Sequence, residues 1–180
     1  MPRIIGRSAA LTTPWFDVRV KRVKGLPTPG RNAYYYSVRP ADYVSILALT
    51  DRDEVLLVRQ YRPAVEVRTL ELPSGLVDAG EAPVRSARRE LLEETGYRAS
   101  RMDLMGVLRP DVGRLENRLW CFRASGLRSP GRGFSGEAGV TPVLMKRPEF
   151  TRRIRRGEFD HALHLAVILL ALAQGKWTLA

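Results

Sequence analysis

Residues 75–97 read Gly-Leu-Val-Asp-Ala-Gly-Glu-Ala-Pro-Val-Arg-Ser-Ala-Arg-Arg-Glu-Leu-Leu-Glu-Glu-Thr-Gly-Tyr, and the rest of the chain is best read outward from them. Pro83 suits the first turn of a helix, where its missing N–H costs nothing, and Gly96 suits the stop. The spacing predicts a helix from Pro83 to about Thr95. Glu81, just ahead of it, suits the positive end of the helix dipole. Glu90, Glu93 and Glu94 stand at i, i+3 and i+4, so they share one helical face. Val84, Ala87 and Leu91 form a neighbouring stripe expected to bury against a sheet. Three like charges on adjacent turns destabilise an isolated helix. Arg85, Arg88 and Arg89 offset part of that cost. A hard divalent cation offsets it better, because Mg²⁺ takes carboxylate oxygens and keeps other positions for water and substrate phosphate. A solvated charged face is the competing reading for any run of glutamates. The fixed offsets of Pro73-Ser74-Gly75, Ala79-Gly80, Arg89 and Gly96 weigh against it.

Upstream, strands are expected at 43–49, 55–59 and 67–72, with a hairpin turn at 50–53 between the first two. Earlier β-like runs at 16–23 and 33–38 flank the turn-rich Gly25-Leu26-Pro27-Thr28-Pro29-Gly30. Downstream come strands at 102–108 and 118–124, a glycine-rich flexible segment at 129–139, a short strand at 140–145 and a basic helix near 149–156. A last helix starts after Asp160, a good N-cap. Its residues 162–173 are apolar except His164; twelve residues are too few to span a bilayer and predict a buried helix. Strands on both sides of a central helix, with helices at the end, indicate a mixed α/β or α+β layer fold.

The composition is that of an ordinary globular chain: 44% hydrophobic and 27% charged. The net charge of +11 suits a polyanionic partner. Yet of 30 basic residues only Lys21, Lys24, Lys146 and Lys176 are lysine, and such an arginine skew reads equally as a coding bias. The single cysteine, Cys121, excludes an intrachain disulfide and favours a reducing compartment. In the run Leu119-Trp120-Cys121-Phe122 it is expected as a small core residue. The first residues lack the apolar core of a signal peptide, so a cytoplasmic protein with no membrane partner is expected.

With these residues in hand, a resemblance emerges. Residues 75–97 match the Nudix box, G-x5-E-x7-R-E-U-x-E-E-x-G-U with U aliphatic or aromatic, at every defined position. The resemblance implies an α/β/α sandwich over 41–180 with a mixed sheet, a β-rich N-terminal segment over 1–40, and metal-dependent hydrolysis of a pyrophosphate. It implies Glu90, Glu93, Glu94 and the Ser74 carbonyl as ligands of Mg²⁺ or Mn²⁺, with Glu93 and Glu94 also counted as catalytic. Arg89 would orient the carboxylates, pairing with Glu81. Gly75 and Gly96 would serve backbone geometry.

Val58-Arg59-Gln60-Tyr61-Arg62 and Leu70-Glu71-Leu72-Pro73-Ser74-Gly75-Leu76-Val77-Asp78 further resemble the ADP-ribose pyrophosphatases. That likeness implies ADP-ribose as substrate, cleaved to AMP and ribose 5-phosphate. Arg59 and Arg62 become candidates for substrate phosphate or subunit contacts, against a surface role on a strand edge. Glu137, among glycines, matches the general base that this group places on a loop before the last strand. Glu116 is a further carboxylate near the expected site. Tyr35, with Trp15, Tyr34 and Tyr36, is a candidate for stacking on a base in a homodimer. The group's proline at position 112 is absent here: Val112 stands there and Pro110 lies nearby. Other expected substrates are NADH, a dinucleoside polyphosphate, capped RNA or another nucleoside diphosphate sugar, although the array typical of NADH pyrophosphatases is missing. A nucleic-acid-binding or regulatory domain built on Arg152, Arg153, Arg155 and Arg156 is the rival from another class. The intact glutamates favour catalysis, with a nucleotide sugar rather than nucleic acid as partner. His161 and His164 share a helical face without nearby acidic partners and are expected to pack rather than bind zinc.

Overall fold

The computed structural model describes residues 1–25, 33–129, 131, 134 and 136–179. Part of the expected turn at 25–30 and part of the segment 129–139 lie outside them. The chain divides into two compact units, residues 1–42 with 109–118, and residues 43–108 with 119–180.

In the first unit β1 (Arg3–Thr12), β2 (Phe16–Lys24) and β3 (Tyr34–Pro40) form an antiparallel three-stranded sheet in that order. The sequence reading missed β1, whose Gly6, Ser8 and Ala9 give it little strand propensity. It exists because its backbone pairs with β2 from Arg3↔Lys24 to Thr12↔Asp17.

In the second unit the sheet runs β10-β5-β4-β9-β8, with β6 also pairing β5 and β7 pairing β4. Its strands are β4 (Tyr43–Leu49), β5 (Glu54–Arg62), β6 (Val67–Glu71), β7 (Ser74–Leu76), β8 (Arg98–Leu108), β9 (Leu119–Arg128) and β10 (Thr141–Lys146). The β4–β9 pair is parallel and the other pairs are antiparallel, so the sheet is mixed. Alternation along β4 feeds two cores. Val44, Ile46 and Ala48 pack on one face with Ala87 and Leu91 of α1 (Pro83–Thr95). Leu47 packs on the other with Phe150 of α2 (Arg147–Arg155) and Val167 and Ile168 of α3 (Ala162–Ala173). Cys121 is fully buried in that second core, as its apolar neighbours suggest. Helix, sheet and helix thus form the α+β layered fold that the residues pointed to.

Three local expectations need correction. Val84 is 38% exposed, because only the Ala87–Leu91 side of α1 meets the sheet. The N-cap of α3 is His161 rather than Asp160, its Nδ1 accepting the His164 N–H at 3.4 Å. Residues 74–76, read as a glycine-rich approach, form the short strand β7 against β4. Among the described residues no helix is long and apolar enough to cross a membrane.

Candidate active site and metal centre

The β7–α1 connection sets the site. Pairing of Ser74 with Ser45 and of Gly75 with Val44 pins the turn to β4. From there the Ser74 N–H donates to Glu94 Oε2 at 2.9 Å. A Cβ on Gly75 would lie 2.0 Å from the Glu90 carboxyl carbon and 2.2 and 2.3 Å from its oxygens. Gly75 is therefore a matter of room for Glu90 and not of backbone conformation. Gly96 does answer to conformation: at φ 73° it closes α1 in the left-handed region, its N–H bonded to Leu92.

Glu90 and Glu94 are buried, at 8% and 3% exposure, whereas Glu93 faces solvent. Burial pushes the Glu94 carboxyl up to about 8, and the charges of Glu90, Glu137 and Glu71 add to that against the Ser74 N–H. Burial also raises Glu90, partly offset by Arg89. Arg89 is the hub beside them. Its Nη1 donates to Glu90 at 2.6 Å and Glu93 at 3.2 Å, and its Nη2 to Glu81 and the Leu76 carbonyl, both at 3.0 Å. Ser86 Oγ donates to Glu81 at 2.7 Å, which fixes the far end of the network. Glu81 thus works as an arginine partner and not merely as a charge near the helix dipole.

This environment fits a hard divalent cation. Burial and the neighbouring glutamate charges raise both carboxyls, a cost that a bound cation would offset, and Gly75 leaves the room that the Glu90 carboxyl occupies. Glu137 approaches from the loop before β10, its N–H donating to the Glu93 carbonyl at 3.1 Å. Gly136 next to it could not carry a side chain without meeting Phe134 at 2.8 Å. The side chain of Glu137 is exposed, and its charge is felt at Glu90, Glu94 and Arg62.

The other expected residues fall elsewhere. Arg62 does not offer a whole fork, because its Nε and Nη2 each donate to buried Glu71 at 2.7 Å. Arg59 is exposed on β5, flanked by Thr141 of β10 and Leu70 of β6, so it does not lie on a sheet edge. Tyr35 and Glu116 belong to the first unit. Tyr35 is 40% exposed on β3, and Glu116 is held by Lys21 and Ser37, each at 2.5 Å. In α2, Arg153 pairs with Glu149 and Glu158, which neutralises part of the basic cluster.

The reading of the histidines is corrected in one part: an acidic partner, Glu71, lies beside them, while His164 is buried and stacked on His161 as a packing residue would be. Glu71, His161 and His164 bring one candidate ligand atom each to within 4.8 Å of one another, which the helix glutamates, among the described residues, do not. Glu71, given no role from sequence, is fully buried. Burial favours its neutral form, but the Arg62 bonds and one from Thr69 at 2.6 Å outweigh that and hold it down at about 2. A glutamate between Leu70 and Leu72 was the available signal.

The family model for the NUDIX domain matches residues 39–136. This chain belongs to the Nudix family. Among its Nudix relatives, the ADP-ribose pyrophosphatase of Mycobacterium tuberculosis is 36% identical over 129 residues, 70% of this chain and 62% of that protein. The ADP-ribose pyrophosphatase of Bacillus subtilis is 42% identical over 59 residues, 33% of this chain and 32% of that one. A CMP-5'-(N-acetyl-N-hydroxy-3-aminopropyl)phosphonate hydrolase of Streptomyces rubellomurinus is 30% identical over 124 residues, 69% of this chain and 57% of that one. The matches thus span less than two thirds of these relatives' lengths. A solved structure described as an ADP compounds hydrolase superposes with a TM-score of 0.77, covering 98% of this chain and 97% of that one. At 20% identity that likeness shows the Nudix fold alone.

Proposed function

We propose that this Nudix chain hydrolyses the pyrophosphate of a nucleoside diphosphate sugar, with ADP-ribose cleaved to AMP and ribose 5-phosphate. The observation that carries the proposal is the pair of buried carboxylates on the matched box, Glu90 packed against Gly75 and Glu94 held by the Ser74 N–H. The ADP-ribose pyrophosphatases of Mycobacterium tuberculosis and Bacillus subtilis support the choice of substrate.

In this reading Glu90, Glu94, the Ser74 carbonyl and the more exposed Glu93 hold Mg²⁺ or Mn²⁺. The bound cation supplies charge neutralisation for the diphosphate and activation of water. Arg89 keeps Glu90 and Glu93 oriented through bonds of 2.6 and 3.2 Å. Glu137, hooked to the α1 backbone yet exposed, removes a proton from the attacking water as general base. Arg62, backed by Glu71, offers its remaining nitrogen to a phosphate oxygen, and Arg59 is carried over from the resemblance as a second candidate for a phosphate contact. Tyr35 and Glu116 are carried over from the resemblance as candidates for contacts with substrate. The exposed apolar side chains of that unit, Ile4, Ile5, Leu11, Trp15 and Phe16 among them, favour a homodimer.

A panel assay tests the substrate. ADP-ribose, NADH, a dinucleoside polyphosphate, a second nucleoside diphosphate sugar and a CMP-linked phosphonate are compared by kcat/KM with Mg²⁺ present. The phosphonate is included because of the Streptomyces relative. ADP-ribose is expected to lead. A lead by another compound discards the substrate and keeps the chemistry, and turnover of none discards both.

A further inference from the structure

Glu71, His161 and His164 invite a metal reading that their geometry rejects. His164 Nδ1 accepts the Leu72 N–H at 3.1 Å, so its own hydrogen sits on Nε2. The two imidazoles stack with centroids 3.7 Å apart and planes 8° from parallel. Ring lone pairs lie in the ring plane, so stacked parallel rings aim theirs along parallel lines rather than at one ion about 2.1 Å from each. Both Glu71 oxygens are meanwhile held by the Arg62 guanidinium. What the cluster presents is donors.

Arg62 spends Nε and Nη2 on Glu71, which leaves Nη1 and its two hydrogens. His161 Nδ1 accepts a backbone N–H, which puts the ring hydrogen on Nε2. That nitrogen stops 3.9 Å short of Glu71 Oε2, outside hydrogen-bond range, and the side chain is 29% exposed. Arg62 and His161 together line two cavities, one of about 320 Å³ bounded by Val65, Val67 and Asp160, the other of about 290 Å³. The second cavity is also lined by Ser74 and Gly75, the turn that holds Glu94 and makes room for Glu90. Tyr43 lines it too, and its hydroxyl is buried with no partner among the described residues.

We propose that His161 is a substrate-binding residue, donating its Nε2–H beside Arg62 Nη1 to a non-bridging oxygen of the substrate's diphosphate in the cavity next to Ser74–Gly75. This rests on the diphosphate reading above and adds to it a residue outside the box, at the start of α3. Glu71 acts as positioning residue, fixing the Arg62 edge so that the two donors face one space.

The test titrates methylenediphosphonate, a diphosphate that cannot hydrolyse, into the full chain in Mg²⁺ buffer by calorimetry. Three proteins are compared: wild type, His161→Phe, which keeps a ring on His164 but has no N–H, and His161→Gln, which restores an N–H near the Nε2 position. His161→Phe is expected to bind about 10–100-fold more weakly, the usual range for losing a hydrogen bond to a charged group, and His161→Gln to recover most of it. Equal affinity in all three proteins overturns the proposal. So does equal weakening in both variants, which marks a structural role. ADP-ribose turnover is measured on the same samples: turnover with unchanged diphosphate affinity in His161→Phe sinks this inference alone. The expected affinity pattern without turnover sinks the substrate reading alone.

Discussion

At Gly75 a single methyl group would sit 2.0 Å from the Glu90 carboxyl carbon, so the Glu90 side chain would have to move aside. Gly75→Ala must displace Glu90, so Mn²⁺ affinity read by electron paramagnetic resonance is expected to fall about 10–100-fold, as when a ligand loses its support. Unchanged affinity would remove Glu90 from the ligand set. Glu137 makes a separate prediction. As general base it contributes about 10²–10⁴ in kcat, so Glu137→Gln should lower kcat by that range with KM little altered. A variant as fast as wild type retires it. Residues of this kind differed in how readable they were. Glu90, Glu93 and Glu94 lie within one helical turn or so, and spacing alone brings them together. Glu71, His161 and His164 meet only because α3 packs on the sheet, Leu72 and His164 being 92 residues apart in sequence. No local pattern records such a meeting.

For the elements, helix α1 was legible at both ends because Pro83 and Gly96 punctuate it, and the cap at φ 73° makes a prediction of its own. Gly96→Ala should cost about 1 kcal/mol in urea unfolding, the typical strain of a side chain in the left-handed region. No loss would mean that the helix ends otherwise. Strands β1 and β7 were illegible because their residues are weak strand formers, held by partners rather than by propensity. The Glu71–Arg62 pair ties β6 to β5 and gives these elements a pH dependence. Its folded pKa of about 2 lies below the ordinary carboxylate value, so the pair's stabilisation is present above that ordinary value and lost as pH falls through about 2. Denaturant unfolding of wild type and Glu71→Gln should therefore differ by about 3 kcal/mol at pH 7 and progressively less below pH 4. A constant difference across that range would show that the pair stabilises by packing rather than by charge.

Over the whole molecule, the mixed sheet and its two helical layers followed from alternation and from the box. The division into units was less readable. Residues 109–118 lie between two long strands in sequence yet group with 1–42 by contact. The homodimer belongs to this scale, and sedimentation tests it: a species of about twice the 20.3 kDa chain is expected, and a 20.3 kDa species alone removes the proposal. So does the central claim, that glutamates on α1 hold a cation for pyrophosphate hydrolysis. Its most direct test is the rate of AMP release from ADP-ribose, measured with Mg²⁺, with chelator, and with Glu94→Gln in Mg²⁺. AMP and ribose 5-phosphate in equal amounts are expected with Mg²⁺, and at least a hundredfold slower release in the other two conditions, as for loss of a principal electrostatic element. Release that survives chelation, or that Glu94→Gln leaves intact, contradicts the account.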